Sequence, residues 1–180
     1  MRRIDIATGH PAGLSAPAIA PTMRPVQVNQ TEGHFGVYSE SFAVLTEDQT
    51  PKFYDVTDLV LTVVKRAGIA AGTLTASTRH TTCALVVQED DPLLLQDLAE
   101  SLRRYVGAPE PSCVARANGQ AHRQQLLLGV AVTLPIQEGR LVLGLWQRIL
   151  LVELDRARPR QFSVQAMGVY ARPPRLPFWE

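Results

Sequence analysis

The chain has 180 residues, of which 46% are hydrophobic and 19% are charged. This composition is typical of one globular domain with a single core. The 18 Lys and Arg residues nearly balance the 17 Asp and Glu residues, which leaves a formal net charge of +1. Because binding to a phosphate backbone requires a basic excess or stripe, we expect no nucleic-acid partner.

Cysteine content and hydropathy indicate the cellular location that we expect for the protein. The two cysteines, Cys83 and Cys113, form neither a Cys-x-x-Cys pair nor a disulfide framework, and this favours a reduced, cytoplasmic location. No apolar run approaches the roughly 20 residues needed to cross a bilayer, so we expect no membrane contact.

Proline content divides the chain into three predicted parts. Residues 1–34 contain four prolines between Pro11 and Pro25 with little periodicity, which predicts a flexible N-terminal leader. A single folded domain is predicted over residues 35–171. Residues 172–180 then form a Pro-rich C-terminal tail.

The first half of the domain shows alternating strand and helix patterns. A strand is predicted from Val37 to Thr46, where apolar side chains alternate with serines. A short amphipathic helix follows, capped by Asp55 or Thr57 and stopped at Gly68. The run from Thr78 to Gln88 favours an extended backbone and places His80 inside a strand. A second helix is predicted from Asp91-Pro92 to Gly107, with leucines and Tyr105 at helical spacing as core scaffold.

The sequence pattern of the second half of the domain predicts a helix followed by three strands. Asn118 is well placed to cap a helix that runs to Gly129. Val130 to Ile136 and Leu141 to Leu154 read as a β-hairpin, and a last strand runs from Gln161 to Tyr170. Gln147 and Glu153 then point to the same side of an apolar strand. Such a polar pair needs partners, which a cleft, solvent or another subunit can supply.

Two histidines are the candidates for chemistry. His80, followed by a carboxylate cluster that includes Glu89, is a plausible site for metal binding or proton transfer, and a packed or surface histidine is the alternative. His122 lies near a helix N-terminus, where the partial positive charge suits a neutral base and free amides can receive phosphate. A polar residue in a first helical turn is also commonplace. We find no Gly-rich phosphate loop, dinucleotide fingerprint or nucleophile elbow.

Several short motifs occur in the order in which one known family carries them. The chain resembles the YjbQ family, also called secondary thiamine-phosphate synthase, over residues from about 35 to 170. The matching segments are Asp55-Val56-Thr57, His80-Thr81-Thr82 followed by Glu89, Asp97, Asn118 with Ala121-His122, Gly139-Arg140-Leu141, Leu143-Gly144 with Trp146-Gln147, and Glu153-Leu154-Asp155 with Arg158 and Arg160.

The resemblance implies a fold, an assembly and a reaction. The fold is single-domain α+β, a YjbQ-like β-sandwich-type sheet system with packed helices, assembled as a homotrimer with sites near subunit contacts. The implied activity is that of a thiamine-phosphate synthase-like transferase acting on small phosphorylated molecules. In that reaction a hydroxymethylpyrimidine diphosphate loses pyrophosphate as the nitrogen of a thiazole phosphate attacks. The chemical demand is stabilisation of the leaving group.

The resemblance also implies roles for individual residues. His80 and His122 become the pocket imidazoles, either as ligands of a divalent metal such as zinc or magnesium or as acid/base groups. Glu89 orients one of them or completes the coordination. Asn118 caps its helix and faces the pocket. Gln147 and Arg158 donate to an anionic group. Trp146 packs in the core or between subunits.

Departures from the family pattern support a second hypothesis. The loop from Tyr105 to Arg116 lacks the histidine that family members usually carry, Leu145 stands in place of a threonine, and Arg156-Ala157 replaces a Gly-Pro turn. A non-catalytic trimeric ligand-binding or interaction protein that has lost part of the site is therefore the alternative. A metal-dependent hydrolase of a small ester is a third reading, which rests only on generic His and carboxylate content.

Overall fold

The structure is a computed structural model that describes residues 19–21, 26–31, 35–48, 50–107 and 118–170. Within these ranges the strands and helices are β1 (Ile19–Pro21), β2 (Val26–Thr31), β3 (Phe35–Leu45), β4 (Lys52–Asp55), α1 (Thr57–Ala67), β5 (Ile69–Thr78), β6 (Cys83–Gln88), α2 (Pro92–Val106), α3 (Gly119–Leu128), β7 (Ala131–Gln137), β8 (Arg140–Leu141), β9 (Arg148–Glu153) and β10 (Pro159–Tyr170).

The described strands form two antiparallel sheets. The larger sheet has the order β1-β3-β10-β5-β7-β8, and β2 pairs along β3 beside β1. The smaller sheet has the order β4-β9-β6. With three helices among the described residues and a main core between the sheets, this architecture confirms the predicted single-domain α+β fold with packed sheets.

The main core lies between the two sheets. Alternate residues of β10 are buried, and Phe162 stacks on Phe42 of β3 with 5.4 Å between ring centroids. Leu85 and Leu151 of the smaller sheet and the apolar face of α1 belong to the same cluster. Burial of this face confirms the amphipathic pattern predicted for α1.

A second cluster lies on the outer face of the smaller sheet. Ala121 of α3 packs there with Ala84, Val152 and Leu154. The neighbouring helix α2 buries only Ala99, and Tyr105 is 85% exposed. The prediction that α2 is core scaffold is therefore wrong, because α2 lies in this outer helical layer and packs along a single stripe.

Four further sequence predictions differ in whole or in part from the structure. His80 does not lie within a strand. It lies in the connection between β5 and β6, which belong to different sheets. The long strand from Leu141 to Leu154 is also wrong, because the chain leaves the larger sheet after β8 and enters the smaller one at β9. Gln147 therefore precedes β9 and does not share a strand face with Glu153. Trp146 is 67% exposed, so it is not packed in the core of the chain, and its packing between subunits stays a prediction.

Several turns and caps agree with the sequence. Glu138 and Gly139 have φ values of 51° and 73°, which is the left-handed geometry of a tight hairpin turn between β7 and β8. Asp55 accepts a hydrogen bond from the Thr57 amide at 2.8 Å. Asn118 precedes α3 as predicted, but its side chain makes no capping hydrogen bond.

The predicted domain boundaries remain predictions. Of the proposed leader, residues 1–34, the structure describes only β1 and β2, which are strands paired with β3. The proposed tail, residues 172–180, and Cys113 lie outside the described residues. No helix in the described ranges is long and apolar enough to span a membrane.

The outer face of the larger sheet carries no charged side chain on the described parts of β3, β5, β7 and β10. Short polar side chains dominate it and bond across strands, with Ser41 and Ser163 at 2.9 Å and Thr75 and Thr133 at 2.9 Å. We call this surface the uncharged sheet face.

Candidate functional site

A buried ion pair closes one end of the space between the sheets. Arg160 on β10 is 2% exposed and Glu153 at the end of β9 is fully buried. Both Nε and Nη2 of Arg160 donate to the Glu153 carboxylate. The same carboxylate accepts from Thr46 Oγ1 at 2.8 Å and from the amides of Leu154 and Asp155 at 3.1 and 2.9 Å. The pair thus joins the two sheets by charge-assisted hydrogen bonds.

These bonds set the charge state of the pair. Burial by itself would raise the pKa of Glu153, but the hydrogen bonds from Arg160, the Asp155 amide and Thr46 hold that pKa below its ordinary value. Burial by itself would lower the pKa of Arg160, and the bond to Glu153 outweighs burial and raises it. Both groups are therefore charged near neutral pH.

His80 is fixed directly beside this pair. Its Nε2 accepts a hydrogen bond from the Gln161 amide at 2.9 Å, and its own amide donates to Thr78 Oγ1 at 3.3 Å. Burial, followed by the positive charge of Arg160, lowers the pKa of His80. A neutral imidazole that accepts at Nε2 carries its proton on Nδ1. His80 is therefore a neutral residue with an Nδ1–H donor.

The surroundings of this donor are cationic. Arg158 and Arg79, like Arg160, act on His80 by charge in the direction that lowers its pKa, while Glu153 acts against them. Arg158 is paired with Asp155. Arg79 is exposed and forms no ion pair with another described residue. A neutral N–H donor next to an available guanidinium is suited to binding an anion.

The structure brings only part of the predicted site together. His80 and Arg158 lie at the end of the sandwich that Glu153 closes. Glu89 follows β6 and Gln147 precedes β9. Both lie at the opposite end of the sandwich, where Gln88 pairs with Arg148. Each of these strands spans about 17 Å. Glu89 and Gln147 therefore cannot reach His80 of the same chain, and a role at that site requires a second chain.

The other predicted residues occupy local positions of their own. The Gln147 side chain accepts a hydrogen bond from the Gly144 amide at 2.8 Å and fixes its own loop. Glu89 is exposed. Asn118 and His122 lie in the first turn of α3, where the His122 amide donates to the Asn118 carbonyl at 3.3 Å. The neighbouring Ala121 packs on the smaller sheet next to Leu154.

A groove of about 460 Å³ lies elsewhere, between β4 and α2. Its walls include Phe53, Leu95, Ala99 and Arg103. None of the six predicted site residues lines it, so the groove does not extend the His80 site.

The metal ion that the resemblance implies does not fit the described residues of one chain. Nε2 of His80 is occupied by the Gln161 amide, and Nδ1 carries the proton, so neither nitrogen offers a free lone pair. The described part of the chain also brings together no group of three or more His, Cys, Asp or Glu side chains able to hold a metal. The implied zinc or magnesium site stays a prediction.

Sequence reasoning missed the groups that hold His80. The Gln161 donor is a backbone amide, which leaves no residue signature. Arg79 belongs to no motif and carries no signal of its own in the sequence. Glu153 did give a signal, because a carboxylate within an apolar strand needs partners, but its partner Arg160 becomes visible only when β10 is placed against β9.

Acid is expected to remove the contribution of Glu153 to stability. Because its pKa in the folded chain lies below its unfolded value near 4.5, this contribution is complete above that value and is lost as pH falls through the folded pKa. Urea unfolding at a series of pH values below about 5 should show a decline that is reduced in Glu153→Gln. An equal decline in both proteins would contradict the assignment.

These observations define a class: a single-domain α+β sandwich with a neutral histidine and an arginine-rich surrounding at one end of its sheets. A profile of the family described as UPF0047 protein YjbQ-like matches residues 41–169. The chain belongs to the YjbQ (UPF0047) family.

Relatives and solved structures agree with this assignment. The chain is 35% identical to a UPF0047 protein of Archaeoglobus fulgidus over 66% of this chain and 96% of that protein. A second UPF0047 protein, from Methanothermobacter thermautotrophicus, is 31% identical over 73% of this chain and 93% of its own length. The crystal structure of a YbjQ-like protein of unknown function from Sulfolobus solfataricus covers 75% of this chain and 99% of its own, with 32% identity and a TM-score of 0.69.

Proposed function

We propose that this chain binds a small phosphorylated molecule at the His80 end of the sandwich and acts there as a thiamine-phosphate synthase-like transferase on phosphorylated thiamine precursors. The observation that carries the proposal is the hydrogen bond from the Gln161 amide to His80 Nε2, which leaves Nδ1–H as a donor. The same proposal places the protein in the cytoplasm, where the free thiol of Cys83 stays reduced.

The geometry suits departure of a diphosphate. In the proposed reaction the bond between carbon and the diphosphate oxygen breaks, and a bond from the thiazole nitrogen to that carbon forms. Negative charge then accumulates on the leaving pyrophosphate. His80 donates a hydrogen bond to this charge from Nδ1, and Arg79 neutralises part of it. Arg158 adds charge from its position beside Asp155.

Loss of the donor should weaken binding of pyrophosphate. We expect His80→Ala to raise the dissociation constant measured by calorimetry about tenfold or more, the effect of one hydrogen bond to a charged group. Arg79→Met should act in the same direction, and Arg104→Met, an exposed arginine on α2, is the matched control. Binding that is unchanged in His80→Ala contradicts the proposed site.

The same titration tests the metal. Because neither nitrogen of His80 offers a free lone pair to a metal, we expect prior treatment with EDTA to leave the dissociation constant unchanged within about twofold. Elemental analysis of untagged protein accompanies it, with a His80→Ala, His122→Ala double variant for comparison. About one metal ion per chain, lost in the variant together with binding, would instead support the metal site that the resemblance implies.

We propose further that the chain assembles as a homotrimer through the uncharged sheet face. Charged residues are depleted from the centre of subunit interfaces, and the described strands carry none on this face. Thr133 is exposed on this face, so Thr133→Arg should convert the trimer to monomers in analytical ultracentrifugation without unfolding the chain. Gln96→Arg adds the same charge on exposed α2 and should leave the assembly intact. A trimer that survives Thr133→Arg contradicts this assignment of the interface.

A non-catalytic ligand-binding protein is the second candidate. It is favoured by the same hydrogen bond, because His80 Nε2 extends the ladder between β5 and β10 and is not free for proton transfer. Pyrophosphate binding that depends on His80, combined with no formation of thiamine phosphate from the two phosphorylated precursors, would select this candidate over the transferase.

A further inference from the structure

We propose that Glu153 and Arg160 are positioning residues for His80, which hold the Gln161 amide against Nε2 so that Nδ1–H is the atom presented to the ligand. The inference rests on the proposed function in one respect, the assignment of His80 as the residue that contacts the phosphorylated ligand. It adds two residues that do not touch the ligand and act through the imidazole.

The first step is the end of the ladder between β10 and β5. The last register pair joins Phe162 to Thr78. Gln161 lies one residue beyond this pair, and its amide is bonded to His80 Nε2 at 2.9 Å. The imidazole nitrogen thus takes the place of a strand carbonyl. Thr78 Oγ1 donates to the Gln161 carbonyl at 2.9 Å and accepts from the His80 amide at 3.3 Å, so it ties both sides of this contact.

The second step is the fixed position of Gln161. It directly follows Arg160, whose guanidinium donates twice to the Glu153 carboxylate. Arg160 also donates to Thr82 Oγ1 at 3.0 Å, in the turn that carries His80. The ion pair therefore anchors the backbone on both sides of the contact, on β10 through Arg160 and in the turn through Thr82.

The third step concerns the hydrogen-bond acceptors near His80. The carboxylate that acts on His80 by charge is Glu153, and it is bound by Arg160. The carboxylate of Asp155, two residues further along the chain, is bound by Arg158. Among the described residues no acceptor is bonded to Nδ1. Because the hydrogen bond made by one ring nitrogen determines where the proton lies, the proton is fixed on Nδ1 and remains available to a ligand.

Nitrogen NMR of histidine-labelled protein tests the inference directly. In the wild type we expect His80 to show a protonated Nδ1 and an unprotonated Nε2 at neutral pH. A double variant without the charges, Glu153→Gln with Arg160→Met, should shift His80 towards a mixture with the Nε2–H form, which free imidazole side chains favour. The matched control is Glu40→Gln with Arg66→Met, which removes another ion pair between a buried carboxylate and an arginine and should leave the His80 signals unchanged.

The outcomes separate positioning from stability, since a merely structural role would not change the proton position. An Nε2–H form in the wild type, or an unaltered Nδ1–H form in the double variant, overturns the inference. If the double variant does not fold, Thr82→Val removes one anchor of Arg160 and should also raise the Nε2–H share, and an unchanged share overturns the inference. Addition of pyrophosphate reports separately on the proposed function: with the expected proton position but no ligand-induced shift, positioning stands and the proposed function fails.

Discussion

Replacement of Glu153 by alanine is expected to lower the free energy of unfolding by about 3–5 kcal/mol, because it leaves the buried charge of Arg160 without its partner. The carboxylate also satisfies Thr46 and two backbone amides, which lose an acceptor in the variant. Urea denaturation monitored by circular dichroism measures the change. The ion pair is thus expected to matter far more than an exposed one, which contributes about 1 kcal/mol or less.

Two comparisons check the physical reason. Glu40 is also buried and bonded to an arginine, but Arg66 is 56% exposed, so Glu40→Ala leaves a guanidinium that water can solvate and should cost less. A double variant, Glu153→Leu with Arg160→Met, removes both charges and should recover part of the stability lost in either single variant. Equal losses for Glu40→Ala and Glu153→Ala would contradict a special role for the buried pair.

Gly168→Ala is expected to destabilise the larger sheet by about 2–5 kcal/mol. Gly168 on β10 has a φ of 157°, which side chains rarely adopt, and a Cβ there would lie 2.2 Å from the carbonyl oxygen of Ala71. It pairs with Gly72 across the sheet, where a Cβ would lie 2.1 Å from the Met167 carbonyl oxygen. Since the obstacles are backbone atoms, the two strands themselves have to move apart. The midpoint of urea denaturation reports the loss.

Gly119→Ala is the matched control for this substitution. Gly119 begins α3, and a Cβ there meets nothing within 4 Å among the described residues. Alanine at such a position is neutral or stabilises by up to about 1 kcal/mol. A Gly168→Ala protein as stable as the wild type would show that β5 and β10 do not approach each other as closely as described.

The sequence predicts local elements well where each element contains its own start and stop residues. Helix α1 has an apolar stripe, an acceptor in Asp55 and a stop at Gly68. Gly68 has a left-handed φ of 66°, which glycine adopts easily because it has no Cβ. The hairpin from β7 to β8 has Gly139 in its turn. In these cases the physical cause lies within a few residues, so a single sequence is sufficient.

The errors arise where the chain passes from one sheet to the other. The residues before Cys83 favour an extended backbone, but Thr81 and Thr82 form the turn from the larger sheet to the smaller one. The stretch after Leu141 is apolar enough for a continuous strand, yet it has to cross between sheets before β9. Local propensity contains no information on which sheet a strand joins, because tertiary packing decides it.

The candidate site is less accessible to sequence reasoning for the same reason. His80 was identified from its own segment. The amide of Gln161 lies 81 positions further along the chain, and the two segments meet only through the pairing of β5 with β10. Glu89 and Gln147 lie at the end of the sandwich opposite to His80, because the full length of β6 and of β9 lies between the two ends. This placement likewise follows from strand direction.

The position of β10 in the larger sheet has a consequence for synthesis of the protein. β10 is the central neighbour of both β3 and β5, and its Val169 pairs with Phe35. A nascent chain that still lacks β10 therefore has β3 and β5 without the strand between them, and the apolar residues that face the core lack a partner. Because such non-local pairing is slow and leaves strand edges open, the sandwich can close only after β10 has left the ribosome, and chaperone occupancy should be highest before β10 emerges.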